Sequence, residues 1–448
     1  MGTPHRIAIV GGGFGGVYTA IELEKRLAKD PNVEITLISH ENFILFTPML
    51  HEVAASDLDL TTIVNPIRKL LRKVNFIAGE IQSVDLDKKT LSVLHGLDRH
   101  EHVHEFDQVV LSLGCTTNFF GLPGLEENAI TMKSLEDAVN LRNRLIAILE
   151  EADTECGENV RRPLLTVVTA GGGFAGVETI ASINDFLRDS LKYFRHIKES
   201  DLRLVLIHPG DVILPELGEH LGIYTQKKLK ERGVEIMTNT RVTGYDGHVV
   251  TLNNGMSIES RTLIWTAGTT PHALIKMLPC KSDHGRVVVS DKLEVADRPG
   301  VWALGDCALV PDVTTGKFCP PTAQHAIRQA RTTAKNVVAH LRGQEKKQFR
   351  FKTIGQLASI GHRCGVARIF GVNFSGFFAW WMWRSIYLSK LPRFEKKLRV
   401  ALDWTLDLFF SKDLVQFVNF GEHGTKHIQK LQTSETPKRD EAAVSAAS

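Results

Sequence analysis

RIAIVGGGFGGV, from Arg6 to Val17, and LTVVTAGGGFAGVE, from Leu165 to Glu178, decide the reading of this 448-residue chain. Each is an apolar run that ends in G-x-G-x-x-G: Gly11, Gly13 and Gly16 in the first, Gly171, Gly173 and Gly176 in the second. In this pattern the first glycine permits a tight strand-to-helix turn. The second lets backbone approach a pyrophosphate, and the third lets the helix pack closely on the strand. The phosphates then rest on exposed N–H groups at the helix N-terminus. Glycine turns also arise for packing alone, so one match would be weak. Two, each between an apolar strand and a helix, predict two dinucleotides in one chain and electron transfer between them.

Working outward, residues 6–10 read as a strand, 15–28 as a helix and 34–39 as a second strand. The second unit repeats this over residues 164–208. Residues 74–114 read as short strands ending in FDQVVLSLG, and 42–59 as loop and short helix. Helices are expected over 134–152 and 322–342. TLIWTAGTTP (Thr262 to Pro271) and GVWALGDCA (Gly300 to Ala308) are further apolar strands with glycine at their ends. Ligands in open α/β sheets bind at the C-terminal ends of strands, where these glycines stand.

The bulk properties bound the answer. At roughly 150 residues per domain the chain should hold two or three. Composition is that of an ordinary globular protein, with 43% hydrophobic and 23% charged residues. A net charge of +3 and the absence of nucleic-acid motifs argue against a nucleic-acid partner. The six cysteines lack C-x-x-C spacing, so no metal is expected, and free thiols in a reducing compartment are. No signal peptide or arginine-rich presequence precedes the first strand, and no apolar run reaches the ~18 residues of a spanning helix.

Candidate site residues follow from position. Asp306, after Gly305, closes a strand and is placed either to accept hydrogen bonds from a ribityl chain or to cap the next turn. The fingerprint usually carries an acid about 20 residues on, for the ribose hydroxyls. Here Ser39 and His40 stand at the first such strand end, with Glu41 two residues beyond Ser39, and His208 stands at the second. Without a carboxylate at His208, discrimination against a 2′-phosphate is lost, so NADPH joins NADH as a candidate. Glu178 is either near the meeting point of the two ligands or simply an early acid favoured by the helix dipole.

Residues 376–410 carry four tryptophans, Trp380, Trp381, Trp383 and Trp404, with Arg384, Lys390, Arg393, Lys396, Lys397 and Arg399 between them. Aromatic faces beside cations suit helices lying in a lipid interface. A core hairpin with a solvated basic face is the alternative. The polar tail, residues 421–448, is expected to be disordered.

Taken together, GGGFGG (Gly11–Gly16), NFILFTPMLHEVA (Asn42–Ala54), AGGGFAGVE (Ala170–Glu178), WTAGTTP (Trp265–Pro271), ALGDCA (Ala303–Ala308), PPTAQHAIRQA (Pro320–Ala330) and LRVALDWTLDLFF (Leu398–Phe410) resemble the type II NADH:quinone oxidoreductases. These are single-subunit, non-proton-pumping enzymes of respiratory membranes. The resemblance covers about residues 5–420. It implies two Rossmann-like domains of the glutathione-reductase-like type and a C-terminal amphipathic helical membrane anchor. FAD would lie in residues 1–115 and 291–348, NAD(P)H in 116–290, and membrane contact in 349–420. It further implies hydride transfer from NADH or NADPH to FAD, then two electrons to a membrane quinone. Thr47 would pass near the flavin, with Gly114 and Gly268 bracing the nucleotides. The family's quinone motif, A-Q-x-A-x-Q, is matched by Ala323, Gln324 and Ala326, but Arg328 takes the last place and Gln329 follows it. One residue is about 100° of helix rotation, so Gln329 does not simply substitute. Gln324 is the expected quinone contact, and Arg384 a candidate at the quinone mouth.

The implied location is the cytoplasmic face of a bacterial inner membrane, held peripherally by lipid, with a homodimer left open. Rival readings are a sulfide:quinone oxidoreductase, if Cys156 and Cys364 meet, and a non-enzymatic flavoprotein redox sensor. A disulfide reductase is disfavoured because the helix after the first fingerprint has no cysteine.

Overall fold

The two glycine patterns end two parallel sheets built on one plan. The computed structural model describes residues 4–417. From edge to edge the first sheet runs Val301–Ala303, Gln108–Leu111, His5–Val10, Val33–Ser39 and Asn75–Ala78. The second runs Ile130–Thr131, Thr262–Trp265, Thr166–Ala170, Arg203–Ile207 and Val234–Met237. All neighbours in both are parallel. Strands covered on both faces should be apolar throughout rather than alternating. Thr166–Ala170 and Gln108–Leu111 are accordingly buried at every residue.

The helix Phe14–Leu27 follows the first fingerprint and Phe174–Ser190 the second. Val17, Ala20, Leu23 and Leu27 of the first meet Ala330, Ala334, Val337 and Val338 of the helix Ala323–Leu341 in one core. Small residues on that second helix let the pair approach closely, which fixes PPTAQHAIRQA to the first unit.

The units are joined by a ribbon. Cys115–Thr117, just after Gly114, pairs antiparallel with Thr269–Pro271, just after Gly268. Strand Arg286–Val288 lies parallel to Ala308–Leu309 in a small three-stranded sheet of its own. Residues 349–420 are also more than helical: a three-stranded meander, Gly355–Ser359, Gly365–Ile369 and Val372–Gly376, precedes the helices Phe377–Lys390 and Phe394–Leu406. The tail expected to be disordered lies outside the described residues. Among the described residues no helix is long and apolar enough to cross a membrane.

Candidate functional site

The glycine turns are superimposable in their chemistry. Gly11 and Gly171 have φ of 107° and 113°, a region that favours glycine. A Cβ on Gly16 would lie 1.8 Å from Gly11 O, and one on Gly176 would lie 1.8 Å from Gly171 O. Each third glycine is therefore required by contact. Gly13 and Gly173, by contrast, face open space, with no atom within 4 Å of where a Cβ would stand. Both are helix N-caps without a side-chain cap, so the first-turn N–H groups are free to meet an anion. A hydroxyl braces each turn. Ser112 Oγ donates to Val10 O at 2.8 Å, and Thr266 Oγ1 donates to Ala170 O at 2.8 Å. The cradle geometry thus fits a pyrophosphate twice.

The second strand ends differ. Ser39 lies against Gly12, and the His208 ring lies against Gly172 in the equivalent place. His208 Nδ1 accepts the Gly172 N–H at 3.2 Å, which leaves Nε2 as the N–H. Burial holds the imidazole below its usual pKa, so it is neutral. Glu41 is exposed and faces His40 Nδ1 at 3.4 Å.

Gly305 has φ 72°, and its N–H donates to Gln329 Oε1 at 2.8 Å. The shifted glutamine therefore has a task of its own, holding the Gly305–Asp306 turn from inside. Arg328 points elsewhere, its guanidinium 4.2 Å above the Phe351 ring. Asp306 Oδ2 accepts from Cys115 Sγ at 3.2 Å, which ties the turn to the ribbon. Gly114 is open, whereas a Cβ on Gly268 would strike the Phe120 ring.

Between the units lies a buried acidic cluster. Glu178 Oε1 accepts from Ser359 N at 3.0 Å and from Trp383 Nε1 at 2.9 Å. Burial pushes its carboxyl up to about 8, against those two hydrogen bonds. Phe46 is buried against Phe14 of the first fingerprint and Tyr387, with ring centroids 6.0 and 6.1 Å apart. Thr47, beside it, is exposed. Gln324 Nε2 reaches Gly355 O at 3.4 Å, at the start of the strand whose end binds Glu178. Four residues at ~3.3 Å each put these anchors about 13 Å apart. Ala323 opens the same helix, again with no side-chain cap before it.

Sequence reasoning did not single out Glu52, whose Oε2 accepts from Trp404 Nε1 at 3.2 Å. The signal was an acid inside the apolar run PMLHEVAA. Arg384 was a candidate at the quinone mouth; its guanidinium lies between the Trp380 and Trp404 rings, at 4.4 and 4.5 Å, beside Glu52.

The tryptophans divide. Trp383 and Trp404 are core residues that serve the two acids, which corrects the picture of four lipid-facing indoles. The exposed apolar face is made instead by Phe377, Phe378, Trp381, Phe394, Phe409 and Phe410, each more than half exposed. The cysteine pair needed by the sulfide reading is not formed: Cys364 faces the Tyr224 hydroxyl at 3.7 Å, and Cys156 is an exposed free thiol.

Comparison with known proteins agrees with this geometry. Residues 5–330 match the family model described as pyridine nucleotide-disulphide oxidoreductase, and residues 354–413 match the NDH2 C-terminal domain. A type II NADH:quinone oxidoreductase of Mycobacterium tuberculosis is 32% identical, over 90% of this chain and 88% of that one. A demethylphylloquinone reductase of Synechocystis is 31% identical, over 89% of this chain and 95% of that one. In structure, NDH2 of Plasmodium falciparum in complex with NADH matches with a TM-score of 0.85 at 20% identity, covering 92% of this chain and 99% of that one. The two family models together with relatives above 30% identity over about nine-tenths of the chain place this chain in the type II NADH:quinone oxidoreductase family.

Proposed function

We propose that this chain oxidises NADH at a bound FAD and passes two electrons to a membrane quinone without pumping protons. The observation that carries the reading is the pair of uncapped glycine turns, each fit for a pyrophosphate. Bound FAD supplies the chemistry, taking a hydride and returning two electrons in a separate half-reaction.

The residues bind, orient and exclude water. Gly11, Gly13 and Gly16 receive the FAD pyrophosphate, with Asp306 and Gly305 at its ribityl chain and Thr47 beside the ring. Gly171, Gly173 and Gly176 receive the NADH pyrophosphate, with His208 at the ribose end of that cradle. Gly114 and Gly268 open the ribbon that sets the distance between the two nucleotides. Gln324, with Ala323 at the free helix start, lies on the quinone side. Glu178 holds a proton in the pocket, since a carboxyl that titrates near 8 is neutral at pH 7. The extents of the nucleotide domains follow the two sheets, exchanging at the ribbon.

The exposed phenylalanines and Trp381 rest on lipid, with Lys390, Lys397 and Arg399 near anionic headgroups. The face is the cytoplasmic side of a bacterial inner membrane.

The test is direct. The purified protein should be yellow and should oxidise NADH with a soluble quinone analogue. A colourless protein, or a yellow one without quinone-dependent turnover, ends the reading. Co-sedimentation with anionic vesicles, lost on Phe409→Asp with Phe410→Asp, tests the lipid contact. Analytical ultracentrifugation tests the homodimer.

A further inference from the structure

Two left-handed glycines bring a thiol and a carboxylate together. Strands Gln108–Leu111 and Val301–Ala303 are parallel neighbours, with Ala303 opposite Leu111. Each runs on to a glycine of positive φ, Gly114 at 68° and Gly305 at 72°. The residue after the first is Cys115, and the residue after the second is Asp306. Adjacent strands and matching turns thus deliver both side chains to one end of the sheet, the end at which ligands bind in open α/β folds. There Cys115 Sγ donates to Asp306 Oδ2 at 3.2 Å.

A third group completes the row. Lys133 Nζ donates to Cys115 Sγ at 3.2 Å. Lys133 stands just past Ile130–Thr131, the edge strand of the second sheet. Its backbone is pinned by the start of the helix Leu135–Thr154. Lys133 N and Ser134 N both donate to Asp137 Oδ2, at 2.7 and 2.9 Å, and Asp137 N donates to Ser134 Oγ at 3.0 Å. This is a capping box, so the Lys133 main chain is fixed although its side chain is exposed. The hydrogen bonds run in one direction, ammonium to sulfur to carboxylate, and polarise one another. Burial and the Asp306 charge raise the thiol pKa, with Lys133 opposing, so sulfur keeps the proton it donates at neutral pH.

Resting on the function proposed above, we infer that Cys115 is a positioning residue for FAD: its S–H holds the Asp306 carboxylate by Oδ2 and leaves Oδ1 as the acceptor for the ribityl chain. Lys133 ties the same carboxylate to the second nucleotide unit.

Two observations support positioning over a purely structural tie. The Gly305 N–H is already held by Gln329 Oε1 at 2.8 Å, so the turn has an anchor of its own and the thiol acts on the side chain. Among the described residues Asp306 Oδ1 receives no hydrogen bond, while Oδ2 receives that of the thiol. An ionised carboxylate is an acceptor on both oxygens, so one remains open. Without the thiol the carboxylate would turn about its Cβ–Cγ bond, and binding would have to order it at an entropic cost.

The experiment reads FAD binding and not turnover. Release of FAD from the purified holoenzyme is followed by the rise in flavin fluorescence, and rebinding by titration, which together give a Kd. Cys115→Ala should raise that Kd about 10-fold, the scale of one hydrogen bond to a charged group. Cys115→Ser keeps a donor on the same carbon and should return the Kd to near its wild-type value. In an Asp306→Ala background, adding Cys115→Ala should change the Kd no further, because positioning acts only through the carboxylate. Lys133→Met, which removes the outer donor, should loosen FAD in the same direction and by less. An unchanged Kd in Cys115→Ala would overturn the inference. So would a serine variant as loose as the alanine one, or a cysteine effect that persists in full without Asp306. Should Cys115→Ala fail to fold, wild-type FAD binding in Lys133→Met overturns it. A wild-type protein that carries no FAD would instead strike the function itself.

Discussion

The first and second nucleotide units share strand order, turn geometry and hydroxyl brace, yet differ at the ribose position and in how the chain completes them. The first sheet takes its edge strand, Val301–Ala303, from far along the chain, whereas the second takes Ile130–Thr131 from before its own fingerprint. The comparison separates two kinds of constraint. A pyrophosphate cradle is set by backbone clearance, so both copies keep their glycines at matching places. Recognition beyond the phosphates depends on one side chain per strand end, and there Ser39 and His208 have parted.

The largest effect should come from closing one cradle at a time. Gly16→Ala and Gly176→Ala each force a Cβ onto a carbonyl 1.8 Å away. Overpacking of this kind costs ~1–3 kcal/mol, which, taken from binding, is about 5–150-fold. Gly16→Ala should purify with much less FAD. Gly176→Ala should stay yellow and lose NADH-driven flavin reduction. The visible spectrum and stopped-flow bleaching read both, and loss of FAD from both variants alike would break the assignment of one nucleotide to each unit.

The acid cluster belongs to neither unit alone, and its burial should make stability depend on pH. Glu178 and Glu52 bind protons more tightly folded than unfolded, since burial raises both to about 8. The native state then holds more protons than the unfolded state between the ordinary carboxylate range and pH 8. Stability must fall as pH rises through that window. Thermal melts from pH 5 to 8 should show this decline, and Glu178→Gln should flatten it. A melting temperature independent of pH in the wild type would contradict the burial argument.

A smaller effect is expected at the divergent strand end. His208→Glu restores a carboxylate where a ribose hydroxyl would be read, and a 2′-phosphate would meet a like charge. The ratio of kcat/KM for NADH to that for NADPH should rise about tenfold, roughly 1.4 kcal/mol. An unchanged ratio would put His208 outside the ribose pocket.

The smallest concerns the braces. Ser112→Ala and Thr266→Ala each remove one hydroxyl-to-carbonyl hydrogen bond, worth about 1 kcal/mol. Urea midpoints should drop by similar amounts in the two variants, and a large inequality would show that the cradles are less alike than their geometry.

Much of this was legible in the residues because it rests on local rules. Gly-rich turns after apolar runs announced both units, and TLIWTAG and VWALGD announced strands that end at the site. The departure from the quinone motif was also visible, although only the structure gave Gln329 its work on the Gly305 N–H and Arg328 its stack on Phe351. Glu52 and the divided tryptophans were not legible. Helices Phe377–Lys390 and Phe394–Leu406 have apolar residues around much of their circumference, so periodicity does not say which indole faces inward.

By itself the sequence determined two dinucleotide cradles and a C-terminal aromatic module, because glycine spacing and apolar runs act over a few residues. Tertiary structure alone decided that Trp383 and Trp404 turn inward to hold Glu178 and Glu52. Those contacts join segments 205 and 352 positions apart. No local pattern encodes such a meeting, since it exists only when the C-terminal helices close over the space between the two sheets and take its acids out of water.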